Sequence, residues 1–184
     1  MDSSKFLAFF DCCVGSWVAE RTYHYPSYSE VERSRTEFTI APLTAAAKQK
    51  VLSDNQYPLP SDLTGLPGFN LGFYTISDKG EEVTQNLNLL FVPKQEETGG
   101  LTGDYLRDRA YEEAKPIISQ FRFLSADNQL LMRTNYTRTV SLDSIRLLND
   151  KVRLRQILNY QRPMEGQPLE KLSLVGFGLE QKVS

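Results

Sequence analysis

Over most of the 184-residue chain apolar and polar residues alternate with a period of two, the spacing of strands that bury one face. Runs of this kind lie at 17–28, 30–40, 69–77, 83–92, 101–109, 117–125, 130–140, 144–148, 152–160 and 172–182. Turn signals such as "SDKG", "ETGG", "SADN" and "LND" separate them. Two segments follow a different period. Phe6, Phe9, Phe10 and Cys13 recur at helical spacing behind Ser3 or Ser4, either of which offers a hydroxyl to the free N–H groups of a first turn. The stretch "TAAAKQKVLSD" at 44–54 has Thr44 as its N-cap, and "YPLP" ends it. Many short strands at even spacing predict an all-β fold, an antiparallel barrel or sandwich, and closing the sheet removes its exposed edges. The expectation is a barrel of about ten strands with a short N-terminal helix and a second short helix, wide enough for one small ligand.

Length changes this picture little: 184 residues make one domain, 1–184, with a single core. Charged residues are 24% of the chain, apolar residues 40%, and the net charge is -2, so the basic excess of a nucleic-acid binder is missing. Cys12 and Cys13 are adjacent and cannot staple a secreted scaffold, which points to a reducing compartment. The start, "MDSSKFLAFFDCC", is acidic and lacks a small-residue cleavage site, and no window reaches the length of a membrane span.

Candidate chemistry concentrates in few places. The segment "GSWVAERTYHY" holds Trp17 and His24, the chain's only residues of their types, with Arg21 between them. Trp17 reads either as a buried indole stacked on an arginine or as a ligand contact, and His24 either as a hydrogen-bonded imidazole or as a site residue. With one histidine and no Cys or carboxylate cluster at ligand spacing, a zinc or iron site is not expected. Neither a Gly-x-Ser-x-Gly elbow nor a glycine-rich phosphate loop opening a helix occurs. Arg153 and Arg155 stand two apart and share a strand face. Facing water they are solvated charges; facing a cavity they form a cation pair suited to a ligand with two carboxylates. The same alternation in "RTNYTRTVSLD" sets Arg133, Asn135, Thr137, Thr139 and Ser141 on one face.

Taken together these segments resemble the S/U-type phycobiliprotein chromophore lyases. "GSWVAERTYHY" is similar to the family's Trp-x-x-x-Arg-Thr-x-His signature, and "GDYLRDRAYEEAKPIISQFRF" to its strand ending in an Ala-Tyr-x-Glu loop. In "LLMRTNYTRTVSLDSIRLLNDKVRLRQIL" an acid precedes by ten residues the first arginine of a run that here reads "VRLR". The resemblance implies a lipocalin-like (calycin) barrel. It implies binding of a phycobilin, phycocyanobilin or phycoerythrobilin, and its presentation to a cysteine of an alpha or beta phycobiliprotein subunit for thioether attachment. It assigns the acid's place to Asp143, where the family carries glutamate, with Arg153 as its catalytic companion. Arg155 and Arg21 become propionate partners, and Trp17, His24, Phe73 and Tyr74 ligand contacts, the last two standing in for missing central tryptophans. It further implies a homodimer or a heterodimer with a related subunit, no permanent cofactor, and the cytoplasm of a cyanobacterium or the plastid stroma of an alga.

Two other readings stay open: a non-catalytic bilin carrier or helper subunit of a lyase, and a carrier of fatty acids or other small hydrophobic ligands. Strand parity sets an internal test for the lyase reading. A three-residue loop with Leu148 facing Val152 pairs Asp143 with Ile157 and puts acid and arginines on one wall, whereas a two-residue loop pairs Asp143 with Gln156 and separates them. Trp17 and Arg21 share a parity that His24 lacks, so either a bulge intervenes or His24 lies outside the cavity.

Overall fold

The computed structural model describes residues 2–109 and 115–183. Their elements run α1 (Asp2–Cys13), β1 (Gly15–Tyr25), β2 (Glu30–Pro42), α2 (Ala45–Asp54), β3 (Gly68–Ser77), β4 (Glu82–Glu97), β5 (Gly100–Arg107), β6 (Ile117–Leu124), β7 (Gln129–Asn135), β8 (Thr139–Asn149), β9 (Val152–Gln161) and β10 (Leu172–Lys182). Each strand pairs antiparallel with its neighbour in sequence, and β1 also pairs with β10, which closes the barrel. The all-β expectation with two helices holds. The Ala-Tyr-x-Glu stretch at 110–113 lies outside the described residues.

The helix α1 closes one end. Phe6, Phe9, Phe10 and Cys13 make its buried stripe, and Phe6 stacks on Phe121 at 5.2 Å while Phe10 meets Phe69 at 5.1 Å and Phe91 at 4.6 Å. Neither Ser3 nor Ser4 caps this helix; it already includes them, and Ser3 instead donates through N and Oγ to Glu96 of β4. Tertiary contact has taken over the role assigned to a local cap. Thr44 does cap α2, accepting from Ala47 N at 3.3 Å. That helix lies outside the barrel, with Val51 and Leu52 against Leu90, Val92 and Leu106.

Gly15 explains the first residue of the Gly-x-Trp motif. It turns the chain from α1 into β1 at φ 125°, and a Cβ there would stand 2.9 Å from Lys182 Cε. Lys182 in turn donates to Cys12 O at 2.9 Å, and Trp17 Nε1 donates to Cys13 O at 2.9 Å. Carbonyls that the end of a helix leaves without partners are thereby satisfied, with a cation at the negative end of the helix.

Strand boundaries differ from the sequence reading in several places, and one difference matters for the interior. The run at 130–140 is broken at 136–138, where Tyr136 N donates to Thr139 O at 2.8 Å, and β8 continues unbroken through 141–143. The turn carries no glycine, proline or asparagine, so nothing local announces it. Its consequence is a change of face: Arg133 and Asn135 are exposed, whereas Ser141 lines the interior.

If α1 is an integral plug, Phe6→Ala should cost about 3–5 kcal/mol of stability. Urea unfolding followed by circular dichroism reads this; an unchanged midpoint would show that the helix sits on the barrel without supporting it.

Candidate functional site

The register of β1 runs without interruption from Gly15↔Ile40 to Tyr25↔Glu30. With no bulge, Trp17, Ala19, Arg21 and Tyr23 fall on the inner face and His24 on the outer one. His24 is exposed and meets Phe177 edge-on at 6.2 Å, away from the interior. The neighbours Phe73 and Tyr74 part in the same way: Phe73 lines the interior, and Tyr74 is 38% exposed on the outside. His24 and Tyr74, expected as ligand contacts, therefore do not line the cavity.

The floor of the barrel is built on a buried charge. Arg153 lies over Trp17 at 4.6 Å and over Phe38 at 5.1 Å, and its Nε donates to Glu180 Oε2. The side chains of this ion pair are 4% and 0% exposed. Glu180 Oε1 accepts from Arg21 Nη2 at 3.1 Å, so one carboxylate joins β1, β9 and β10. Burial by itself would push the Glu180 carboxyl up, but the guanidinium groups of Arg153, Arg155 and Arg21 outweigh it and hold the group below the usual carboxylate range. Trp17, 1% exposed, is the stacked indole of the structural reading. Arg153, expected beside the acid, belongs to this floor.

The acid pairs with the other arginine. Arg155 donates from Nε to Asp143 Oδ1 at 3.0 Å and from Nη2 to Asp143 Oδ2, a two-bond fork. Asp143 faces Ile157, the register that puts it on the arginine wall. This is the pairing expected of the three-residue loop, reached by a different turn. The turn is the two residues Asp150 and Lys151, between paired Asn149 and Val152, and a bulge at Leu148 supplies the extra residue that restores the parity. Leu148 is left 52% exposed.

The opposite end is polar. Arg107 of β5, 3% exposed, donates to Tyr136 Oη at 2.8 Å and lies 5.4 and 5.5 Å from the rings of Tyr105 and Tyr136. Between floor and polar end runs a cavity in two communicating parts, about 80 Å³ over the floor and about 340 Å³ toward the open end. Arg21, Phe73, Tyr105, Met132 and Arg155 line both, and Asp143 and Arg107 line the larger. Three buried polar atoms on these strands have no hydrogen-bond partner among the described residues: Arg21 Nε, Ser34 Oγ and Asn159 Oδ1. A larger concavity, about 650 Å³, lies on the outer surface among Lys94, Gln120, Arg122 and Leu131, and Asp143 also borders it. The inward-facing arginines take no part in it.

The family described as CpeS-like protein matches residues 5–183. The chain belongs to the CpeS-like family. This CpeS-like chain is 60% identical over 180 residues to Chromophore lyase CpcS/CpeS 1 of Synechococcus sp. (strain JA-3-3Ab), covering 98% of this chain and 97% of that protein. It is 27% identical over 161 residues to Chromophore lyase CpcS/CpeS 4 of Trichodesmium erythraeum (strain IMS101), across 87% and 80% of the two. Its fold matches the S-type phycobiliprotein lyase CpeS from Guillardia theta with a TM-score of 0.78 at 15% identity, over 100% of this chain and 98% of that one.

Two elements of this CpeS-like site escaped the sequence reading. The i, i+2 rule that paired Arg153 with Arg155 applies equally to Tyr105 and Arg107. On β10, "VGFGLE" repeats small, small, acidic at a spacing of two. A Cβ at Gly176 would stand 2.8 Å from the Tyr23 ring, and one at Gly178 would stand 3.1 Å from Arg21 Cγ. These glycines let Tyr23 and Arg21 lie across the strand.

Glu180→Gln should cost about 3–5 kcal/mol near neutral pH, because two buried guanidinium groups lose their counter-ion. A carboxyl held below its usual range stabilises the fold above its unfolded value of about 4.3 and loses that contribution as pH falls toward the folded value. The gap in unfolding free energy between wild type and variant should therefore narrow below about pH 4. A gap independent of pH would deny Glu180 its charge.

Proposed function

We propose that this protein is a phycobiliprotein chromophore lyase. It binds an open-chain tetrapyrrole in the barrel and presents it to a cysteine of a phycobiliprotein subunit. The observation that carries this reading is the Asp143–Arg155 pair on the cavity wall, with Arg21 beside it, inside a CpeS-like barrel. A phycobilin has two propionates, four ring nitrogens and an ethylidene on ring A. Arginines suit the propionates, and a carboxyl group suits the pyrrole N–H groups. A carrier of fatty acids needs one cationic anchor and an apolar lining, which leaves the buried acid without a purpose.

In the reaction the sulfur of the acceptor cysteine bonds to the ethylidene carbon. The double bond opens, and the proton given up by the thiol is balanced by one delivered to the conjugated tetrapyrrole. The lyase supplies geometry by holding one conformer with ring A presented. Asp143 supplies a hydrogen bond or proton at the pyrrole nitrogens, which makes the conjugated system more electrophilic. Phe73, Tyr105 and Met132 give the rings an apolar wall.

The chain's own thiols do not suit the part of nucleophile. Burial pushes the Cys13 thiol up despite the nearby Arg153, and burial followed by the Asp150 carboxylate pushes Cys12 up. Cys13 is packed in the core on the buried stripe of the plug itself.

Absorbance titration with phycocyanobilin should show a saturable, shifted red band, and Arg155→Ala should weaken it by about tenfold or more through loss of a charge-assisted contact. Unchanged binding in that variant would remove Arg155 from the site. Transfer is read from the fluorescence of an acceptor subunit incubated with bilin, with and without this protein. Asp143→Asn should slow it by about a hundredfold, and Cys12→Ser should leave it intact. Loss of transfer in the Cys12 variant with normal transfer in the Asp143 variant would point to a covalent lyase intermediate. A wild type that binds bilin but transfers nothing until a related subunit is added would favour the helper role.

A further inference from the structure

We infer that a carboxylate of the bound tetrapyrrole takes over Arg155 from Asp143, so that the substrate itself releases the acid onto its ring nitrogens. This rests on the bilin reading above and concerns the order of partners within that site.

The two internal ion pairs differ in how far they can be exchanged. Arg153 is held between aromatic rings and Glu180 with side-chain exposures of 4% and 0%, and it borders only the small part of the cavity over the floor. Asp143 and Arg155 are 16% and 17% exposed and line the larger part of the cavity. A ligand carboxylate is chemically the same partner as Asp143 and fits the same guanidinium fork, so the exchange keeps both hydrogen bonds on Arg155. An additional donor waits there: Arg21 lines the same cavity, its Nη2 is held by Glu180, and its Nε has no hydrogen-bond partner among the described residues. Glu180 thus has a positioning role, fixing Arg21 and Arg153 so that Arg155 is the cation that changes hands.

Displaced from Arg155, the Asp143 carboxylate would be costly to leave inside the barrel without a partner. The pyrrole N–H groups of the same ligand are donors of the right kind. Exchange therefore couples two recognition events: a carboxylate must arrive for the acid to leave, and donors must arrive for it to leave without penalty. A small fatty acid satisfies the first condition and fails the second. While it is paired with Arg155, the acid is held out of use.

The test compares phycocyanobilin with its dimethyl ester, which has the same rings and no free carboxylates. Asp143→Asn removes the internal competitor for Arg155. The ratio of diacid to ester affinity should rise about tenfold over wild type, one charge-assisted bond no longer contested, and adding Arg155→Gln should abolish the rise. If Asp143 only binds the rings, Asp143→Asn weakens both probes equally, the ratio stays put, and the proposal is wrong. Wild-type protein labelled with carbon-13 at the aspartate carboxyl groups gives an answer independent of variant folding. In infrared difference spectra the diacid should shift an aspartate carboxylate band that the ester leaves in place; the same spectrum with both overturns the exchange. Wild type that takes up neither probe overturns the bilin reading itself along with the exchange.

Discussion

A guanidinium group buried at the closed end of a barrel is expensive unless every side of it is occupied. Arg153 meets that demand with two aromatic faces, Trp17 and Phe38, and one carboxylate, Glu180, itself fully buried. Much else in the molecule follows from this arrangement. Trp17 must lie flat under the arginine, and its indole N–H then reaches the last carbonyl of α1. Gly15 must turn sharply so that the helix arrives above the indole, and Lys182 fills the space a side chain would have taken. Plug, floor and closing strand pair are aspects of a single packing problem, and an ion pair holds them in register where an apolar core would hold them by shape alone.

The interior accordingly divides in two. Toward α1 it is phenylalanine-rich and dense; toward the other end it is lined by Arg107, Thr134, Tyr136, Ser141 and Asn159. Glu180 and Asp143 stand on strands flanking β9, which carries both Arg153 and Arg155, and the alternation of β9 sends the two guanidinium groups the same way. One pair is sealed beneath the aromatic layer and stabilises. The other stands on the cavity wall. Two residues of separation, about 6.6 Å along a strand, divide a charge buried in the floor from one on the cavity wall.

The β8–β9 hairpin shows how little backbone decides whether the acid and the arginines share a wall. The two-residue turn at Asp150 and Lys151 without a bulge would have faced Asp143 with Leu158 and sent acid and arginines to opposite sides of the sheet. One bulged residue, Leu148, reverses that outcome. An insertion of this kind is invisible to a count of apolar alternation, because it shifts parity without interrupting the strand. The same blindness extended the seventh strand through 136–138, where the chain turns on ordinary residues.

Strand-forming alternation, helical spacing of phenylalanines, the Thr44 cap and the Gly-x-Trp and arginine motifs are local properties, and from them the sequence alone determined an all-β barrel with two short helices and most of the site's members. It also showed that Trp17 and Arg21 share a parity that His24 lacks, and left a bulge or an outward His24 as the alternatives. Tertiary structure decided everything that depends on which strands meet. It placed His24 and Tyr74 outside, separated the roles of Arg153 and Arg155, and brought in Glu180 from a strand 159 residues beyond Arg21. The physical reason is that a buried charge is defined by its surroundings: a guanidinium on a strand looks the same in sequence whether its neighbours across the barrel are a carboxylate and an indole or an open cavity.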